Sequence, residues 1–129
     1  EGAWNTTDTD AESYRFWQHV RLAGLAAGPT SPSASDFVPK NADGGPIGIT
    51  SGSSSYLPVT AMHGTYIVCS QGILGKFAKQ LDIQLDDGNT QTGSLQVIDN
   101  QSANQATSAT AKATTAIDDA TSYTVCMAY

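Results

Sequence analysis

The clearest hydrophobic pattern near the start of the chain is that of an amphipathic helix. Apolar residues after Glu12 recur at spacings of three and four, which places them on one side of a helix. We predict that this side packs against the rest of the fold. The predicted packing face consists of Phe16, Trp17, Val20, Ala23 and Leu25.

Local signals set the predicted ends of this helix at about residues 10 and 26. Thr9 and Glu12 have the spacing of a capping box, in which each side chain pairs with a free backbone N–H of the first turn. Gly28 and Pro29 follow the periodic stretch. Because glycine adopts the left-handed cap and proline cannot extend a helix, they are expected to end it.

A second helix is predicted between two later glycines. Ile73, Phe77, Leu81 and Leu85 follow one another at spacings of four, so that they share one helix face. Gly88 lies where the C-terminal cap of such a helix is expected.

Four short segments have the composition or the alternation of β-strands. The strongest is 64–69, which is rich in β-branched and aromatic residues. The last segment, 123–129, alternates as a strand with one buried face does. Shorter strands are predicted around 47–50 and 93–98.

The segments between these elements are irregular. All 5 prolines fall within 29–58, so this connection cannot form a long element. Residues 100–122 are a low-complexity run with little to bury, and we predict a surface loop. The whole chain, 1–129, is thus predicted to be one α+β domain, with a helix at about 10–26 and the sheet and second helix within 59–129.

Composition narrows the possible functions. Charged residues make up only 14% of the chain, and uncharged polar residues take their place, as is common in secreted proteins and in subunits that pack against copies of themselves. With 12 acidic and 6 basic residues the net charge is −6, which repels the phosphate backbone of nucleic acids. We therefore expect no nucleic-acid partner.

The chain has 2 cysteines, Cys69 and Cys126. Neither belongs to a CxxC motif, and neither has a zinc-like spacing to a histidine. In a chain with this composition, we predict that they form one disulfide bond in an oxidising compartment. The bond would tie the last strand to the strand at 64–69.

Three parts of the sequence are distinctive when they are taken together. They are 16–25, with the sequence FWQHVRLAGL, then 81–95, with the sequence LDIQLDDGNTQTGSL, and finally Cys126, close to the last residue. Together they resemble the globular region of bacterial type IV pilins and pilin-like proteins.

This resemblance implies a type IV pilin-like fold, in which a long N-terminal helix packs on a small antiparallel sheet and a disulfide bond bounds a C-terminal loop. It implies a non-catalytic structural subunit of a pilus, or of a similar extracellular filament on a bacterial cell, that serves adhesion, motility or surface attachment. The expected partners are other copies of the chain in a helical filament. An apolar helix segment anchors such subunits in the inner membrane before assembly, and we expect that segment to precede Glu1.

Other functions stay open. The resemblance also fits a pseudopilin of a secretion system, and the composition fits a secreted module that binds carbohydrates or surfaces. A small secreted enzyme is the least favoured alternative, because the chain has only two histidines, His19 and His63, and lacks a GxSxG motif. We expect both histidines to be structural or surface residues, and we expect no catalytic site.

One acidic group in the chain consists of Asp82, Asp86 and Asp87. Its spacing differs from the alternating ligands of an EF-hand loop, and acidic residues beside a glycine such as Gly88 are commonly turn formers. We therefore expect no cofactor. Calcium is the one cofactor that stays open, because some pseudopilins that resemble this pattern bind it in a loop.

Overall fold

The computed structural model describes every residue from Glu1 to Tyr129 and has the predicted α+β class. A short 3₁₀ turn, Thr114–Ala116, precedes the last strand. The helices and strands follow in the order α1 (Glu12–Leu22), β1 (Ile47–Ser51), β2 (Tyr66–Leu74), α2 (Gly75–Leu85), β3 (Leu95–Asp99) and β4 (Ser122–Ala128).

The four strands form one antiparallel sheet in the order β1-β2-β4-β3, so the last strand lies in the middle of the sheet. The predicted strands are all present, but β2 continues to Leu74 instead of ending near Cys69. The extension passes through a bulge between Ser70 and Ile73. Gly72 lies in this bulge with a φ of +81°, which glycine adopts without strain, so it permits the irregularity rather than ending the strand.

The two faces of the sheet carry separate hydrophobic cores. We call one the loop-covered face: it includes Ile67, Cys69 and Cys126, and irregular segments pack over it. The other is the α2 face, on which Val97 and Val125 pack with Ala78 of the helix. Side chains alternate between the two faces along each strand, as a pleated sheet requires.

The structure corrects the predicted helix α1. It begins at Glu12, its N-cap residue Ala11 has no side chain that bonds to the first turn, and the predicted capping box is therefore absent. The helix ends at Leu22, because the backbone N–H of Gly24 bonds to Arg21 O in a closing turn.

The predicted packing face of α1 is also wrong in part. Ala23 and Leu25 lie beyond the last helical residue, and the Leu25 side chain is 80% exposed. Phe16, Trp17 and Val20 are only half-buried, whereas the buried residues of the helix are polar, Ser13 and Arg21.

A buried arginine explains why the helix is turned in this way. The Arg21 guanidinium donates hydrogen bonds to the carbonyl oxygens of Ala27, Pro29 and Phe37, and it lies 5.3 Å from the centre of the Phe37 ring. Three carbonyls and an aromatic face satisfy the group without a carboxylate. The polar side of α1 therefore packs against the proline-rich connection. The predicted packing face lies nearer to the surface as a result.

The segment before α1 is not helical, so α1 is not the end of a longer helix. Ala3 and Trp4 in this segment are buried in the core of the loop-covered face or beside it. Helix α1 contacts the sheet chiefly through the edge strand β1.

The run 100–122 buries more than its composition predicts. Gln105, Ala111 and Ile117 are all buried, and the last two belong to the two hydrophobic cores. The prediction of a surface loop with little to bury is therefore wrong at these positions. A parallel bridge between Val59 and Ala109 helps to hold the run against the loop-covered face.

The second helix, Gly75–Leu85, lies within the predicted segment, but Ile73 of the predicted face belongs to β2. Ala78 and Asp82 are fully buried, while Phe77 and Leu85 of the predicted face are 43% and 54% exposed. The buried side of α2 is thus formed by Ala78 and Asp82, each of which follows a residue of the predicted face by one position. Neither helix has the length and apolar character needed to cross a bilayer.

Candidate functional site

The predicted disulfide bond is present in the structure. Cys69 of β2 and Cys126 of β4 are directly opposite one another, with Cα atoms 4.1 Å apart, and neither has exposed surface. It joins the last strand to its neighbour within the core of the loop-covered face.

The two histidines lie on separate elements. His19 is exposed on α1, and His63 is exposed just before β2. A shallow surface pocket includes His63 together with Thr60, Gln91 and Thr92, and its lining contains no acidic residue. In this pocket His63 therefore has no carboxylate with which to form a triad-like arrangement.

The three acidic residues singled out in the sequence converge at one point. Asp82 lies in the last turn of α2, and Asp86 and Asp87 follow the helix directly. One carboxylate oxygen from each of them lies within 4.8 Å of the others. Asp82 is buried, Asp86 is half-buried and Asp87 is exposed, so the cluster extends from the interior to the surface.

The Asp82 side chain has no exposed surface, and neither of its oxygens accepts a hydrogen bond. Burial raises the pKa of this carboxyl above its ordinary value of 3.8, and the charges of Asp87 and Asp86 raise it further. The nearby backbone N–H groups of Gly88 and Asn89 oppose this rise in pKa, but neither forms a hydrogen bond of normal geometry with the carboxylate.

The other two carboxylates are held in place by the loop that leads to β3. Asp86 Oδ2 accepts a 2.8 Å hydrogen bond from the backbone N–H of Leu95, the first residue of β3. Asp87 accepts hydrogen bonds from the Asn89 N–H and from the Thr92 hydroxyl.

The loop approaches Asp86 so closely that a side chain at position 93 would displace the Asp86 carboxylate. A Cβ atom there would lie 2.0 Å from Asp86 Oδ2, and the φ of Gly93 is +77°. The hydrogen bond from the Leu95 N–H goes to Oδ2 and leaves the second oxygen, Oδ1, free for another partner.

No positive side chain neutralises this cluster. The chain has three salt bridges, Arg15 to Asp10, Lys79 to Asp119 and Lys112 to Asp99, and none of them involves Asp82, Asp86 or Asp87. Sequence analysis identified the three residues but interpreted them as turn formers. Their spacing in the sequence could have predicted the cluster, because residues at positions i, i+4 and i+5 lie close together at the end of a helix.

A second candidate surface lies on the β1 side of the α2 face, beside the hydrophobic core that packs under α2. Its members are apolar and only half-buried, and we call them the apolar strip: Ile47, Ile49, Val68 and Met127. Strand alternation places them on the same face as Tyr66 and Tyr129, whose rings stack with centroids 5.3 Å apart. Both tyrosines are exposed, at 44% and 55%.

Comparison with known proteins finds no matching family model, no matching curated protein and no matching solved structure. Any function proposed for the chain therefore rests on its own residues and geometry.

Proposed function

We propose that this chain is the globular part of a structural, non-catalytic subunit of a type IV pilus or a related cell-surface filament. The apolar strip is the observation that carries the proposal. Four half-buried apolar side chains lie side by side on one face of the sheet, where they form a surface suited to a further helix or a neighbouring subunit.

The resemblance of the sequence to type IV pilins gives this strip a role. In that arrangement a long N-terminal helix packs on the sheet. Helix α1 does not fill this role, because it has only 11 residues, follows a non-helical segment and contacts chiefly the edge strand. The apolar strip is then the surface on which a preceding helix would pack. Leu22 and Leu25, which are exposed at the end of α1, are candidates for contacts between subunits.

Surface composition supports the same proposal. Repeated, non-closing contacts between identical subunits build a filament, and they require patches that match other patches on a neighbour rather than a catalytic pocket. A surface with few charges lowers the cost of burying such patches, and only 14% of the residues here are charged. The buried disulfide bond fits a subunit that works outside the cytoplasm.

One observation favours a second candidate, a secreted module that binds carbohydrates or surfaces. The stacked rings of Tyr66 and Tyr129 lie on an exposed sheet face, and such aromatic platforms suit the apolar faces of sugars. The pair lies at one end of the apolar strip, so a ligand and a packed helix would compete for part of this surface.

The encoded sequence just before Glu1 discriminates between the two candidates. The filament proposal expects a run of about 20 apolar residues there, preceded by a short basic leader. It also expects an antibody against the purified domain to label filaments on cells that make the protein. A cleavable secretory signal in that place, together with a monomeric protein in the culture medium, would refute the filament proposal and favour the binding module.

A further inference from the structure

The Asp82 carboxylate is a group whose charge the chain itself does not satisfy. A buried carboxylate without a hydrogen bond is costly, and nearly all buried polar side chains in folded proteins have a partner. Here both oxygens lack one, although the residue has no exposed surface. Protonation alone does not solve the problem, because the neutral acid would still have an O–H and a C=O without partners.

The side chains nearest to Asp82 supply further negative charge instead of a hydrogen-bond donor. Asp86 and Asp87 each direct an oxygen to within 4.8 Å of an Asp82 oxygen. Like charges at this distance repel one another unless a cation lies between them. Since none of the salt bridges of the chain reaches the cluster, that cation has to come from solution.

The loop around the cluster holds its outer two carboxylates in fixed positions. The Leu95 N–H binds one oxygen of Asp86, and the Asn89 N–H and Thr92 hydroxyl bind Asp87. Each of these bonds fixes a carboxylate and leaves lone pairs for another partner. Because Asp87 is exposed, an ion from solution can reach the cluster, and water can complete its coordination.

The chemistry and the spacing of the oxygens favour calcium. Calcium binds oxygens at about 2.3–2.6 Å, so two of its ligands lie up to about 5 Å apart, whereas ligands of magnesium at about 2.0–2.1 Å lie no more than about 4.2 Å apart. Oxygens within 4.8 Å of one another fall inside the span of calcium ligands, and calcium, unlike magnesium, accepts an irregular ligand geometry. Carboxylates are also the hard oxygen donors that calcium prefers.

We propose that Asp82, Asp86 and Asp87 form a calcium site that joins the end of α2 to the start of β3. The ion would neutralise the buried carboxylate and fix the loop between the helix and the strand, since Asp86 is already bound to the first residue of β3. This proposal stands on the geometry of the three residues and does not depend on the filament assignment.

Calorimetric titration of the chelator-treated, disulfide-bonded protein with calcium chloride tests the site. We expect one calcium ion per chain, and magnesium chloride to bind at least tenfold more weakly. At a calcium concentration of 100 times Kd, the folding equilibrium constant should rise about 100-fold. An equal ionic strength of sodium chloride should not produce this rise, which thermal unfolding measures.

Three variants locate the site. Asp82→Asn and Asp87→Asn should each weaken calcium binding at least tenfold, whereas Asp36→Asn, which makes the same charge change at an exposed position outside the cluster, should leave it unchanged. Asp87 is exposed, so its variant tests the site even where Asp82→Asn impairs folding. Absence of saturable calcium binding to the wild-type chain, or unchanged binding in Asp87→Asn, would overturn the proposal. Equal affinity for magnesium would overturn the assignment to calcium.

Discussion

The indole Nε1 of Trp4 donates a 2.7 Å hydrogen bond to the side-chain oxygen of Gln105, which lies 101 positions further along the chain. Both residues are buried. The Gln105 amide in turn donates to the carbonyl oxygens of Pro58 and Thr107. One glutamine thus joins the N-terminal segment, the end of the proline-rich connection and the run 100–122 on the loop-covered face.

We expect Gln105→Ala to lower the free energy of unfolding by about 2 kcal/mol, because the variant leaves the buried Trp4 N–H unpaired and removes one of the two hydrogen bonds that the Pro58 carbonyl accepts. Urea unfolding followed by tryptophan fluorescence measures the loss. Gln80→Ala is the matched control, since Gln80 is exposed on α2, and it should change the stability by no more than about 0.5 kcal/mol. A Gln105→Ala variant as stable as this control would show that the bonds of Gln105 contribute little.

The Cys69–Cys126 bond closes a sequence separation of 57 residues. In the chain-entropy model, a cross-link over a loop of this length stabilises the folded state by about 4 kcal/mol. We expect the double variant Cys69→Ala/Cys126→Ala to lose about this much stability in urea unfolding. The wild-type chain should lose a similar amount under reducing conditions, whereas reductant should not affect the variant. Alkylation of native protein that labels both thiols would contradict the presence of the bond.

The sequence predicted an element most accurately where the hydrophobic period and the residue composition indicate the same structure. The strand at β2, the final strand and helix α2 all follow from β-branched residues, alternation or a spacing of four, and the opposition of Cys69 and Cys126 follows from two strands that each carry one cysteine. These patterns depend only on residues close together in the sequence, and the folded chain adopts the local structure that they predict.

The sequence was least informative where a polar residue is buried through distant partners. Arg21 looks like a surface residue in the pattern of α1, and its burial depends on carbonyls of residues 27–37 that a periodicity analysis does not consider. Gln105 lies in a low-complexity run, and only the position of Trp4 makes it a core residue. The acidic cluster shows the same limitation, because turn chemistry accounts for Asp86 and Asp87 but not for the burial of Asp82.

Asp118 should make the protein sensitive to acid. The backbone N–H of Ala120 bonds to its carboxylate and lowers the pKa of this carboxyl below the ordinary value of 3.8, with further contributions from Thr121 and from the charge of Lys79. The folded state therefore binds fewer protons at this site than the unfolded state does. Its contribution to stability is present above about pH 4 and is lost as the pH falls through the lowered pKa.

We expect Asp118→Asn to be less stable than the wild-type chain at pH 7, and the difference to shrink toward zero as the pH falls below about 4. Urea midpoints of both proteins between pH 2 and pH 7 give the difference directly. Asp36→Asn controls for the change in net charge. A difference between Asp118→Asn and wild type that grows as the pH falls would contradict the assigned direction of the pKa shift.

The filament proposal predicts that a charge in the apolar strip blocks assembly without unfolding the domain. Ile49 lies in the strip on the edge strand β1 and is half-buried, so a lysine there can extend its ammonium group into solvent while the isolated domain stays folded. A helix or subunit packed on the strip would have to bury that charge, at a cost of several kcal/mol.

We expect cells that make the Ile49→Lys subunit to lack filaments in electron micrographs, although the purified domain unfolds cooperatively. Ile83→Lys introduces the same change on α2, at a side chain that is 69% exposed, and should leave filaments intact. Normal filaments in the Ile49→Lys cells would show that the strip is not an assembly surface.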